Sequence, residues 1–331
     1  MTLGRELLNV GIMSFAHPRA LSYAKCLKSF ESVRLVGIAD DDKERGSAAA
    51  ERYGARYFAS YDELLGSADA VVICAETAKR RDLALKAANA NRHILCEAPF
   101  AVDIEGIKNV AAACRDARII LQPAFPVRFS PATGQAQEHV AAGKIGRMFA
   151  MKGTYRSKYF EGWFGRRSLS GGGAVMNSLP QAVDLMRWVA GSEPMEVYAE
   201  IESLATADDI DGSAVVSVKF SNGAFATIDP SWSLPKSYPI QEDASLVVIG
   251  SDGSVRLDIY GGQKMNVYCG KSDKHAWVSW GDNLDMLMLK SFIEAVLGNA
   301  DPVVTGDDCA AAFAVVDAAY KSADRKEPVR L

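Results

Sequence analysis

Through the first 125 residues, short apolar runs alternate with stretches of helical spacing. Leu8 to Met13 is one such run, and Ala20, Tyr23, Ala24, Leu27 and Phe30 then recur as one face of a helix. Val33 to Ala39 predicts a second strand. After the charged run Asp42 to Tyr53 comes a third, Ala70 to Cys74, which has no polar face. The pattern continues with a helix over Leu83 to Ala90, a strand over His93 to Cys96, a helix over Ile104 to Ala117 capped by Asp103, and a strand at Ile119 to Leu121. Strands that are apolar on both faces, each followed by a helix, predict a parallel sheet covered on both sides. The expected fold of residues 1–125 is therefore a doubly wound nucleotide-binding domain.

The pattern changes after Pro126. Met148 to Tyr155, Glu196 to Ile201, Ala214 to Phe220, Ala224 to Ile228, Ser245 to Ile249 and Ser254 to Ile259 read as strands. Ser221-Asn222-Gly223 and Gly250-Ser251-Asp252-Gly253 read as hairpin turns, so the sheet they join is largely antiparallel. Helical stretches at Met176 to Val189 and Asn283 to Leu297 complete an α+β domain over residues 126–331. No repeat or flexible linker divides the halves, and the last helix is expected to pack back toward the first domain.

Composition narrows the function classes. Of 331 residues, 49% are hydrophobic and 24% charged, with a net charge of −4 and no basic stripe, which argues against nucleic acid as a partner. No apolar run approaches the roughly 18 residues that span a bilayer, and the first residues lack the form of a signal peptide, so a cytoplasmic protein with no membrane partner is expected. Cys26, Cys74, Cys96, Cys114, Cys269 and Cys309 form no C-x-x-C pair and read as buried thiols. His17, His93, His139 and His275 show no paired spacing, so no metal site is expected.

The turn after the first strand, Val10 to Pro18, is where a dinucleotide pyrophosphate would meet a helix N-terminus. Ser14 and Ala16 stand where glycines are usual; both are small, and Pro18 suits a helix start. An ordinary βα turn is the alternative reading. Asp40 follows the second strand at the position of an acid that accepts both adenosine ribose hydroxyls and repels a 2′-phosphate. Asp40, Asp41 and Asp42 in a row favour NAD over NADP, against the opposing charges of Lys43 and Arg45. The expected cofactor-binding set is Gly11, Ser14, Phe15, Ala16, His17, Asp40 and Arg45, with Ala75, Glu76 and Glu97 at the ends of later strands.

Leu95-Cys96-Glu97-Ala98-Pro99-Phe100 resembles the Glu-Lys-Pro strand end of the Gfo/Idh/MocA oxidoreductases. The resemblance runs along nearly the whole chain, through Arg128-Phe129-Ser130-Pro131, Gly171 to Met176 with Asp184, Arg187 and Trp188, and the closing stretches Asp301 to Gly306 and Ala318 to Ser322. It implies a Rossmann domain followed by a domain with an open, mostly antiparallel sheet that builds a homodimer or homotetramer. It also implies NAD or NADP as cofactor and a sugar, polyol or related carbonyl as substrate.

The resemblance breaks at the chemistry. Family members place lysine, aspartate and histidine at positions that here carry Ala98, Asn177 and Gln181, and a further histidine of the family falls near Arg80. Asn177 and Gln181, four apart, share a helix face and can hold hydroxyls but cannot exchange protons near neutral pH. Tyr155 and Tyr159 are candidate replacement acids, and Arg128, Arg156, Trp163, Asn177 and Gln181 are candidate substrate contacts. Three readings stay open: an oxidoreductase with an altered acid–base set, a non-catalytic sensor or partner subunit that keeps the pocket, and a non-redox enzyme that holds NAD tightly.

Overall fold

The computed structural model describes residues 7–203, 210–260, 264–269, 274–279 and 281–331, without side chains for the two segments between 264 and 279. Cys269 and His275 therefore lie outside the described side chains. The chain forms two compact units, one of Met1–Pro126 with Asp285–Ala310, the other of Val127–Leu284 with Ala311–Leu331.

The first unit is built on six parallel strands: β1 (Leu8–Met13), β2 (Val33–Ala39), β3 (Arg56–Phe58), β4 (Ala70–Ile73), β5 (His93–Glu97) and β6 (Leu121–Ala124). They lie in the order β3-β2-β1-β4-β5-β6, so the chain reverses direction beside β1 and opens a crevice at the strand ends. Every residue of β4 is buried, as a strand covered on both faces requires. The helix Ile104–Asp116 starts where Asp103 accepts the Gly106 N–H at 2.6 Å. From the later segment, Met288 accepts a 3.1 Å hydrogen bond from the buried Gln122 amide, and Met288, Leu289, Phe292 and Ile293 of the helix Leu284–Val296 are buried.

The second unit adds β7 (Met148–Ser157), β8 (Pro194–Ser203), β9 (Asp211–Phe220), β10 (Phe225–Asp229), β11 (Glu242–Gly250) and β12 (Ser254–Asp258). A separate two-stranded ribbon pairs β13 (Lys264–Cys269) with β14 (Lys274–Ser279), and β15 (Val329–Arg330) closes the chain. The seven-stranded sheet runs β12-β11-β7-β10-β9-β8-β15, antiparallel throughout except where β10 lies parallel to β7. One face carries most of the buried residues of β7 to β12. The other exposes Val215, Phe225 and Ile249, which the strand registers place on the same side.

The helix Ala174–Ala190 belongs to this unit and starts in an unusual way. Asp211, at the head of β9, accepts the Gly173 and Val175 N–H groups at 2.8 and 2.7 Å, satisfying backbone donors that a helix start leaves orphaned. Gly173 has to be glycine, because a Cβ there would collide with the Asp211 carbonyl oxygen.

Candidate functional site

In the first unit, the residues expected to face a cofactor converge at the ends of β1, β2, β4 and β5. Ser14 leaves β1 with φ 70°, a left-handed conformation that glycine adopts without strain and serine at a cost. The turn is tied down on both sides: the Ser14 N–H bonds the Ala39 carbonyl at 2.8 Å and the His17 N–H bonds the Cys74 carbonyl at 2.8 Å. Ala16 donates to Ser14 Oγ at 3.2 Å, so the serine hydroxyl braces the turn. At Gly11 any Cβ would meet Leu64 at 2.8 Å, which makes that residue a packing requirement of the strand.

Asp40 ends β2 with its carboxylate buried and bonded. Arg45 clamps it through Nε and Nη2 at 2.9 and 2.6 Å, and Phe15 and Asp42 donate backbone N–H groups at 2.7 and 3.0 Å. Gly46 permits this approach, since a Cβ at that helix position would sit 2.6 Å from Asp40 Cβ. Asp41 pairs with Arg45 at 3.2 Å and with Lys79, which also reaches Glu76 at 3.2 Å. Burial works against the Asp41 charge, but the hydrogen bond and charge of Lys79 outweigh it and hold the carboxyl below its ordinary range. The hydrogen bond to Asp40 keeps Arg45 firmly protonated. Lys79 was not singled out in the sequence, because a lysine in a polar helical run carries no distinguishing mark.

Glu76 Oε2, just after β4, is buried and makes no hydrogen bond, while Oε1 is held by Lys79. A buried carboxylate oxygen with open lone pairs is matched by a ligand hydroxyl, and the ribose of a dinucleotide supplies such donors. The residues present thus fit NAD, with small side chains at the turn, an open acceptor at Glu76, and at Asp40 a carboxylate whose acceptor positions Arg45 shares.

Glu97 closes β5 in a buried cluster. Tyr23, unmarked in the sequence except as a core position, donates its hydroxyl to Glu97 Oε1 at 2.6 Å, and His17 Nδ1 lies 3.4 Å from the same oxygen. Burial, then the positive charges of Arg80 and Arg19, push the His17 pKa well below its ordinary value, so the ring is neutral near pH 7. Arg80 is fully buried and bonds the Ala75 and Pro99 carbonyls at 2.8 and 2.9 Å, tying the end of β4 to the segment after Ala98. It acts as a strut for that backbone.

In the second unit, the helix Ala174–Ala190 carries Asn177, half-buried, and Gln181, buried, one turn apart on one face. Asp184 on the same helix is fully buried and holds Arg128 through Nε at 2.9 Å and through a second, very short contact at Nη2; the guanidinium also lies 5.5 Å from the Trp188 ring. Arg128 thus serves a buried ion pair. Arg156 pairs with Asp243 at 2.8 Å, and Tyr155, buried, donates to Glu242 at 3.3 Å. Arg128 and Tyr155 are committed inside the fold, whereas Arg156 is paired at its surface with 36% of its side chain exposed.

A cavity of about 380 Å³ opens beside β7, walled by Tyr159, Trp232 and Leu234 and rimmed by Lys158, Lys236 and Gln241. Tyr159 meets Trp232 edge-on at 5.3 Å, and Trp163 stacks on Phe164 at 3.8 Å in the adjoining aromatic cluster. Trp232 is buried, and its indole N–H has no hydrogen-bond acceptor. Trp232 went unmarked in the sequence, because an isolated tryptophan after a strand reads as core.

Comparison with known proteins fits both units. The profile described as "Oxidoreductase family, NAD-binding Rossmann fold" matches residues 9–125, and that of the GFO/IDH/MocA C-terminal domain matches residues 133–256. The chain belongs to the GFO/IDH/MocA oxidoreductase family. An uncharacterized oxidoreductase of Rhizobium meliloti is 30% identical over 71% of this chain and 72% of its own. The myo-inositol 2-dehydrogenase of Thermotoga maritima is 26% identical over 93% of this chain and 94% of its own. The crystal structure of GenD2 from gentamicin A biosynthesis, in complex with NAD, superposes with a TM-score of 0.91 at 25% identity, covering 98% of this chain and 97% of that one. Within the family the first unit is the NAD-binding Rossmann domain. Among the described residues no group of three metal-ligating side chains occurs, and no helix is long and apolar enough to cross a membrane.

Proposed function

We propose that this chain is an NAD-dependent oxidoreductase acting on a sugar, a polyol or a related carbonyl compound, with a reduced acid–base set. The observation that carries this reading is the cofactor end of the first unit. There the turn at Ser14 and the unpaired Glu76 Oε2 offer contacts a dinucleotide needs, and the buried Asp40 offers more once Arg45 gives up its place. Two adjacent carboxylates, Asp40 and Asp41, make that end unfavourable to a 2′-phosphate and support NAD over NADP. Bound there, NAD supplies the hydride acceptor or donor. The relatives named as inositol dehydrogenases support the substrate class.

This chain's residues bind and orient the substrate more than they move protons. Asn177 and Gln181 can accept and donate hydrogen bonds to hydroxyls, and an aromatic wall such as Tyr159 and Trp232 suits the apolar face of a sugar ring. Ala98, Asn177 and Gln181 cannot take the hydroxyl proton released on oxidation, so it leaves to solvent or through Tyr159 on the cavity wall. Slow turnover follows. The same three residues favour a second reading, a ligand-binding sensor or partner subunit without turnover. We further propose a cytoplasmic homodimer or homotetramer joined through the open sheet face; the exposed Val215, Phe225 and Ile249 support the oligomer, and the burial of Cys26, Cys74, Cys96, Cys114 and Cys309 supports the compartment.

The test is a panel of inositols, aldoses and sugar acids incubated with the purified protein and NAD⁺ and followed at the absorbance of NADH. Slow NADH formation with at least one member is expected. Binding of NAD⁺ without NADH formation across the panel would favour the sensor reading.

A further inference from the structure

The carboxylate placed to read the adenosine ribose is already full. A carboxylate offers about four acceptor positions. On Asp40, Oδ2 accepts the Phe15 N–H and Arg45 Nε, and Oδ1 accepts the Asp42 N–H and Arg45 Nη2. The Asp40 side chain has 0% solvent exposure, while the Arg45 side chain over it keeps 31%. A sugar hydroxyl therefore has neither a lone pair nor a path to Asp40 unless one donor leaves.

Only one pair of donors is free to go. The Phe15 and Asp42 N–H groups belong to backbone fixed by the first turn and by the start of the helix Lys43–Tyr53, where Asp42 itself accepts the Arg45 N–H at 2.9 Å. Arg45 instead reaches Asp40 through a flexible, partly exposed side chain. A second acceptor already stands beside it, because Asp41 Oδ1 is 3.2 Å from Arg45 Nη2. Asp41 is held in place by Lys79, which is anchored in turn by Glu76.

We propose that Arg45 is a displaceable occupant of the ribose site, so that NAD(H) binds by exchange. Two hydroxyl donors of the ribose replace the two guanidinium donors on Asp40, and Arg45 moves onto Asp41. The inference rests on the dinucleotide reading above. It makes Arg45 a residue that sets both affinity and selectivity. The unphosphorylated ribose returns two O–H donors for the two N–H donors that Asp40 loses. A 2′-phosphate returns acceptors and a negative charge, so the phosphorylated cofactor gains nothing from opening the site.

The experiment is calorimetric titration of cofactor-stripped, full-length protein with NAD⁺ and with NADP⁺, for wild type, Arg45→Met and Arg45→Lys. Methionine keeps much of the stem and removes every donor. Lysine keeps the charge but cannot fill both acceptor positions as a planar fork does, and it serves if the methionine variant fails to fold. Exchange predicts that NAD⁺ binds about tenfold tighter to Arg45→Met, the scale of one charge-assisted hydrogen bond no longer broken on binding. A smaller gain is expected for Arg45→Lys, and no gain for NADP⁺ in either. In wild type, the Nε–H resonance of Arg45 should move on addition of NAD⁺. Weaker or unchanged NAD⁺ binding in both variants overturns the exchange while leaving the NAD reading in place. Wild-type protein that binds neither dinucleotide overturns both.

Discussion

At the scale of single residues, the proposed chemistry turns on the positions where the family resemblance places acid–base groups. Ala98 stands where the family resemblance places a lysine, and a methyl group neither carries charge nor holds a proton. Restoring one acid–base group is typically worth roughly 10²–10⁴ in rate, less when its partners are also gone. Ala98→Lys should therefore raise NADH formation on a responsive polyol at least tenfold, read as kcat at saturating NAD⁺. An unchanged kcat would place the rate limit elsewhere. His17 supports a different prediction. Its folded-state pKa is depressed while the unfolded value is about 6.5, so between those values the unfolded chain binds the extra proton. The stability contributed by the neutral ring is present above pH ~6.5 and is lost as pH falls toward the depressed value. Urea midpoints should fall from pH 7 to pH 5 more steeply in wild type than in His17→Phe; parallel curves would contradict the assignment. These residues were only partly legible in the sequence. Asp40 and Glu97 stood at marked strand ends, whereas the hydrogen bond from Tyr23 to Glu97 joins residues 74 positions apart, and no local pattern records it.

At the scale of elements, apolar strands were read most closely. β1 and β2 run over the expected residues because both are short, apolar and bounded by polar turns. The helix expected over Leu83–Ala90 begins earlier, at Thr77, because its first turns carry Lys79, Arg80, Arg81 and Asp82 and hide the apolar period. That hidden turn holds two working side chains, the Lys79 bridge and the buried Arg80. β3 and the helix Tyr61–Leu65 span 3 and 5 residues, too few for a period to show. The cap on the helix Ala174–Ala190 was also out of reach, since Asp211 lies 38 residues from Gly173 and takes a further 2.8 Å bond from Tyr320. Loss of a cap costs about 0.5–2 kcal/mol, and an unpaired buried hydroxyl about 1–3 more. Asp211→Ala should therefore destabilise the protein by about 2–4 kcal/mol in denaturant unfolding. A change below 0.5 kcal/mol would show that the helix start is satisfied without it.

At the scale of the whole chain, alternation of strand and helix followed by hairpins was enough to foretell a parallel sheet and a mostly antiparallel one. The single parallel pairing of β10 with β7 is a product of topology that no hairpin signal announces. The open sheet face carries the next prediction. Val215 and Phe225 are each more than half exposed on strands that pair directly, an arrangement that favours burial against a second copy. Wild type should sediment as a dimer or tetramer, and Val215→Lys with Phe225→Lys should shift it to monomer without lowering its melting temperature by more than a few degrees. A monomeric wild type would remove that partner.

The central claim is that the first unit holds NAD(H) through the acceptors at Asp40 and Glu76, and calorimetry of the cofactor-stripped protein tests it most directly. Micromolar binding of NAD⁺, clearly tighter than NADP⁺ and weakened at least tenfold by Asp40→Ala, is the result the account predicts. No binding of NAD⁺, or binding indifferent to both the 2′-phosphate and the Asp40 carboxylate, would contradict it.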